Sequence, residues 1–229
     1  MKNTFGRWLP AITSTPLRKS AVLAAGLVFA SGAVAGPATA AAAASAAPAK
    51  TAAAATSATP KAKQLNFRYR AQSTYYFCAP AATSMALSTS GHLISQPKLA
   101  ALLGTTENGT DSAYETTRVL NQVTGTNFYR TREIPGGYAR PWQMDRLQAD
   151  VVRAIGHGYG VVANVKGTAY DTAGGMHSFE GGHYIAVVGY QDEGRLVRIA
   201  DSAEPNGDGT YWMTTIKLAN WIAERGYSA

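Results

Sequence analysis

The chain has 229 residues, with 21 Lys or Arg against 14 Asp or Glu and a formal charge of +7. The excess sits at one end. The first 63 residues carry seven basic side chains and no acidic one, so residues 64–229 hold 14 of each sign. The high overall charge therefore gives no support to nucleic-acid binding by the domain, and no nucleic-acid partner is expected; a single cysteine excludes an internal disulfide framework.

Met1 to Ala40 reads as a secretory signal peptide. Lys2, Arg7, Arg18 and Lys19 form a basic front, "AVLAAGLVFASGAVAG" (21–36) supplies an apolar run, and Ala38-Thr39-Ala40 gives the small-x-small pattern that a signal peptidase accepts. The run of 16 residues is poor in bulky aliphatics, and a membrane-spanning helix needs about 20 apolar residues. The expectation is cleavage, export and no stable membrane insertion afterwards, which leaves the protein extracellular and within reach of the cell wall. From Ala41 to Lys63 there is no aromatic or bulky aliphatic residue, and Pro48 and Pro60 interrupt any long helix. Such a segment cannot bury enough apolar area to offset the entropy of ordering it, and reads as a flexible linker or pro-segment.

Residues 64–229 have the length of one domain. "LNFRYR" (65–70) alternates like a strand. After Cys78, "APAATSMALSTSG" reads as a helix that must begin at Cys78 or Ala79, because Pro80 is tolerated only in the first turn. Ser95 caps "QPKLAALL", which Gly104 ends. Asp111 or Ser112 caps a helix reaching about Val123 and stopped by Gly125. "TNFYRTR" is strand-like, and Pro141 opens a helix closed by Gly156. "GVVANV" (160–165), the nearly uninterrupted apolar run "HYIAVVGY" (183–190), "RLVRIAD" (195–201) and "GTYWMTT" read as strands. "IKLANWIAERG" reads as a closing amphipathic helix. Helices first and a mostly antiparallel sheet second predict an α+β fold. The loop 171–182 holds four glycines and reads equally as a substrate lid or as a plain connection.

Two readings of Cys78 are open. One is a buried small hydrophobe, the other a nucleophile. The start of a helix favours a thiolate through its unpaired N–H groups and dipole. Tyr75, Tyr76 and Phe77 can fix the entry turn. Gln72 lies six residues upstream, where its amide could join the Cys78 N–H in holding an oxyanion. A thiolate needs an imidazole partner. Of His92, His157, His177 and His183, the last opens a rigid central strand and is favoured, with His177 in reserve. If "DEG" (192–194) is a three-residue hairpin loop with Gly194 left-handed, Gln191 pairs with Arg195 and Asp201 falls opposite Ile185. Asp201 then lies diagonal to His183 on one face. His177, His183 and Asp171 have no distinctive metal-ligand spacing, so no metal and no cofactor are expected.

The set "Q…YYFCAPAA", "GGHYIAVVGY" and "VRIADS", together with "SQPKLAALLGTTENGT", resembles the C39-like branch of the papain-like cysteine peptidases over nearly all of 64–229. The resemblance implies a papain-like α+β fold, with N-terminal helices carrying the cysteine and packed on a C-terminal sheet. It also implies a stand-alone secreted peptidase acting on a peptide or protein substrate. Cys78 would be the nucleophile, His183 the base, Asp201 the orienting group and Gln72 an oxyanion-hole donor. Cys78-Ala79-Pro80 replaces the Cys-Gly-Pro of many members. No transporter segment accompanies the domain, so the double-glycine leader substrates of the transporter-fused members do not carry over. Peptidoglycan amide hydrolysis or acyl transfer by the same groups stays open. So does an exported binding module with a structural or intermolecularly paired Cys78. The oligomeric state is not legible.

Overall fold

The computed structural model describes residues 60–204 and 207–229. The expected signal peptide, and the expected linker up to residue 59, lie outside the described residues. The elements run β1 (Lys63–Gln64), α1 (Cys78–Ser88), α2 (Gln96–Leu103), α3 (Ala113–Thr124), β2 (Thr131–Ile134), α4 (Pro141–Gly156), β3 (Val161–Tyr170), β4 (Met176–Gln191), β5 (Leu196–Ala200), β6 (Thr210–Thr214), α5 (Thr215–Trp221) and β7 (Arg225–Ser228). The sheet order is β2-β7-β3-β4-β5-β6, with β1 on β4, and every pairing is antiparallel. Among the described residues no helix is long and apolar enough to cross a membrane.

The sheet is covered on both faces, which is why its central strand reads as one apolar run. Tyr184, Ala186 and Val188 of β4 pack with α1, α2 and α3, while Ile185 and Val187 pack with α4 and α5. Helix α1 is buried along its whole length from Ala79 to Leu87. Its small residues permit that, and so does a strand neighbour without a side chain. A Cβ on Gly160 would sit 2.8 Å from the Ala86 backbone. The caps follow the sequence. Ser112 and Glu115 form a reciprocal capping box at α3, and Gly104 and Gly125 end α2 and α3 in the left-handed region. Ser95 precedes α2 without a side-chain cap hydrogen bond.

Four expectations change. Residues 65–70 are extended and alternate, with Leu65, Phe67 and Tyr69 turned to the core. The ladder is confined to β1, where Gly189 lets the backbone of Lys63 and Gln64 approach closely. The glycine-rich stretch 171–182 is not a lid. Pairs from Gly167 with Phe179 to Tyr170 with Met176 extend both strands, and Asp171 Oδ1 closes the turn by accepting the N–H groups of Ala173 and Gly175. Helix α5 stops at Trp221, and the chain turns through Glu224 (φ 64°) into β7. That strand is stabilised by partners distant in sequence: β2, β3 and, at Ser228, Thr116 of α3. Lastly, the β4–β5 turn is one residue longer than expected, pairing Gln191 with Leu196, and a bulge between Val187 and Gly189 restores the register.

Candidate active site

Cys78 is the first residue of α1, and no side chain caps that helix. Phe77, at φ −95° and ψ 20°, turns the chain into it, and Tyr75, Tyr76 and Phe77 meet edge to face at 5.0 and 5.1 Å. The thiol is half-buried, and the Cys78 N–H has no acceptor among the described residues. A helix start with unused donors is a favourable place for negative charge.

His183 and Asp201 meet because β4 and β5 run antiparallel, with Ala186 opposite Ala200. His183 Nε2 lies 2.7 Å from Asp201 Oδ1 in a buried contact. Cys78 lies close enough to the same imidazole for its sulfur to favour the charged ring. Burial disfavours the imidazolium. The hydrogen bond to Asp201, its charge and the nearby sulfur of Cys78 outweigh it and raise the histidine to about 9. Asp201 moves the other way: burial opposes its charge, but His183, the Ala203 N–H and the Tyr211 hydroxyl hold its carboxyl below the ordinary carboxylate range. The Phe179 ring covers His183 at 3.9 Å and 22°, fixing the plane of the imidazole.

Gln72 is tied to the same place. Its N–H donates to the Ser202 carbonyl at 3.1 Å, and its side-chain oxygen accepts the Ser202 hydroxyl at 3.1 Å. The amide nitrogen is thereby set toward the chain just before Cys78, where it donates to the carbonyls of Thr74 and Tyr75. The structure therefore brings Cys78, His183, Asp201 and Gln72 together. His177 is placed otherwise. Its ring nitrogens lie 3.2 Å from Asp171 Oδ2 and 3.9 Å from Glu204 Oε2. Its ring stacks on Tyr211 at 3.8 Å.

Tyr211, Ser202 and Phe179 escaped the sequence reading. Tyr211 donates its hydroxyl to Asp201 Oδ2 at 3.0 Å. Its signal was the placement of an aromatic residue opposite Ile199 in the next strand, which depends on a register that only the fold supplies. Ser202 follows Asp201 directly, a polar residue at the end of an apolar strand, and was the more accessible of the three.

Residues 64–229 match the Peptidase_C39 like family, and the chain belongs to that family of cysteine peptidases. Its sequence matches no curated protein. Solved structures similar to it include a putative C39-like peptidase from Bacillus anthracis, with 13% identity and a TM-score of 0.49 over 74% of this chain and 97% of that one. Xylellain, a cysteine protease from Xylella fastidiosa, gives 13% identity and 0.48 over 75% and 86%. The peptidase domain of Streptococcus ComA, a bifunctional ABC transporter, gives 18% and 0.46 over 72% and 97%.

Proposed function

We propose that the protein is an exported thiol hydrolase that cleaves peptide bonds through Cys78, His183 and Asp201, with the Cys78 N–H as an oxyanion donor and Gln72 as a second, its amide exchanging a bond to the Thr74 or Tyr75 carbonyl for one to the oxyanion. The observation that carries this is the single imidazole shared by a buried carboxylate at 2.7 Å and the thiol at a helix start. The Cys78 thiolate attacks the amide carbonyl carbon, forming an S–C bond and an oxyanion. The His183 imidazolium gives its proton to the leaving amine as the C–N bond breaks. Water then attacks the thioester while His183 takes its proton, and the S–C bond breaks to release the acid and restore the thiolate. Asp201 stays ionised throughout and holds the imidazole in place. The basic, apolar and small-residue order of the first 40 residues supports export.

The test is alkylation of Cys78 with iodoacetamide at mildly acidic pH, where a thiolate paired with imidazolium reacts and an ordinary thiol is slow. Cys78→Ser and His183→Ala are each expected to reduce turnover at least about a thousand-fold, since the two act as a unit, while far-UV dichroism stays unchanged. An inert thiol, or an inactive His177→Ala beside an active His183→Ala, would remove this assignment. Unstructured peptides and purified peptidoglycan, tested side by side, separate the peptidase from a wall amidase.

A further inference from the structure

One cavity has no part in the chemistry above. It encloses about 440 Å³ and is lined by Arg68, Arg70, Ser73, Leu93, Ser95 and Gln96, among others. It adjoins the proposed oxyanion donor through the chain itself. Ser73 follows Gln72, and Gln96 clamps this stretch by accepting the Ser73 N–H and donating to the Ala71 carbonyl at 2.7 Å. The backbone that carries Gln72 is thus one wall of the pocket.

The charge of the cavity is uncompensated. No Asp or Glu occurs anywhere in the sequence before Glu107, so neither segment bordering the pocket brings a carboxylate to it. Among the described residues neither Arg68 nor Arg70 has an ion-pair or side-chain hydrogen-bond partner. Of the other arginines, Arg132, Arg153, Arg195 and Arg198 pair with carboxylates, and Arg118, Arg130 and Arg225 donate to backbone carbonyls. The alternation of residues 65–70 turns Phe67 and Tyr69 inward and leaves Arg68 and Arg70 exposed on one side. In an extended segment, side chains two residues apart are separated by about 6.6 Å. An extended peptide with acidic side chains at the same spacing would meet both guanidinium groups at once, and each is built to take a carboxylate through two parallel N–H donors. The exposed Leu93 on the rim offers an apolar contact for the residue between them.

We propose that this pocket is a subsite for an acidic stretch of the substrate, a Glu-x-Glu or Asp-x-Asp segment bound beside the stretch 71–73 that carries Gln72. The inference deepens the peptidase reading by giving it a substrate class, and it rests on that reading.

Binding of the acetylated, amidated octapeptides (Glu-Ala)4 and (Gln-Ala)4 to the full chain, followed by NMR titration at low salt, tests the pocket without requiring turnover. The expected result is at least a ten-fold preference for the Glu peptide that shrinks as salt is raised. R68Q/R70Q should reduce the preference below two-fold, whereas K98Q, which removes a charge outside the lining, should keep it. Equal binding of both peptides by the wild type, or a loss as large in K98Q as in R68Q/R70Q, would overturn the proposal. Cleavage of a peptide mixture supplies the second arm: acidic residues should be enriched near the cut, and no enrichment would overturn the subsite. Failure of the peptidase reading is seen separately, as a Cys78 that iodoacetamide does not label.

Discussion

His183 is held between a carboxylate that needs its proton and a sulfur that profits from it, and this sets an expected pH dependence. Its folded value of about 9 lies above the 6.5 of an ordinary histidine. The stability contributed by the charged ring is therefore fully present below about 6.5 and lost as pH rises through about 9. Asp201 is shifted downward, so its contribution is present above the ordinary carboxylate range and lost on acidification through its lowered value. Turnover should fall on the alkaline side near pH 9, read from a kcat profile, and the melting temperature should decline over the same window. Tyr211→Phe removes the hydroxyl that Asp201 Oδ2 accepts. A hydrogen bond to a charged group contributes about 1.5–3 kcal/mol to stability, so the variant should melt at a lower temperature, and kcat should drop with KM little changed if the bond also keeps the carboxylate in line with the imidazole. Unchanged kcat would relieve Tyr211 of any part in positioning the carboxylate. At this scale Cys78 was legible because it is the only cysteine and opens a helix, and His183 because it precedes the apolar run of the central strand; it was expected at the mouth of that strand, but β4 begins earlier, at Met176, and places it mid-strand. Tyr211 was not, since its bond to Asp201 is made between separate strands.

At the scale of elements, sequence signals that act within a few residues carried over well. Pro80, Pro141, Ser112 with Glu115, Gly104 and Gly125 mark helix ends that the structure keeps. Signals that depend on a distant partner did not. The strand β7 reads as the end of a helix until β2 and β3 are placed beside it. The hairpin between β4 and β5 is instructive because two departures cancel. The turn holds one residue more than expected, the bulge at Val188 takes it back, and Asp201 still falls next in line opposite Ile185. Contact between α1 and β3 is testable at Gly160. A methyl group there would press on the Ala86 backbone at 2.8 Å, and overpacking of this kind costs about 1–3 kcal/mol. Gly160→Ala should lower the unfolding free energy by that amount, read as a lower denaturant midpoint at unchanged slope. It should also reduce turnover, because α1 carries Cys78. An unaltered midpoint would mean that the helix yields freely.

At the scale of the whole molecule, the described contacts reach further toward the N-terminus than composition suggested. Residues 60–63 belong compositionally to the alanine-rich linker, yet Pro60 accepts the Tyr190 hydroxyl, Lys61 accepts the Glu193 N–H, and Lys63 Nζ donates to the Gly156 carbonyl. A chain starting at Leu65 would lose these bonds and β1. It should be less stable than one starting at Pro60 by about 1–3 kcal/mol, given that each hydrogen bond contributes on the order of 1 kcal/mol. Equal melting temperatures for the two chains would show these contacts to be incidental. Charge neutrality of the domain was legible from counting. The separation of charge within it was not visible in the total, because the cations of 64–106 are balanced only by carboxylates further along the chain.

The two-point bond between Gln72 and Ser202 has a mechanical consequence. Residue 72 belongs to the segment that leads into α1, and residue 202 follows Asp201, so this pair of contacts ties the segment that carries Cys78 to the one that carries Asp201. Prying the two segments apart would unseat the amide donor and disturb the buried carboxylate in the same movement.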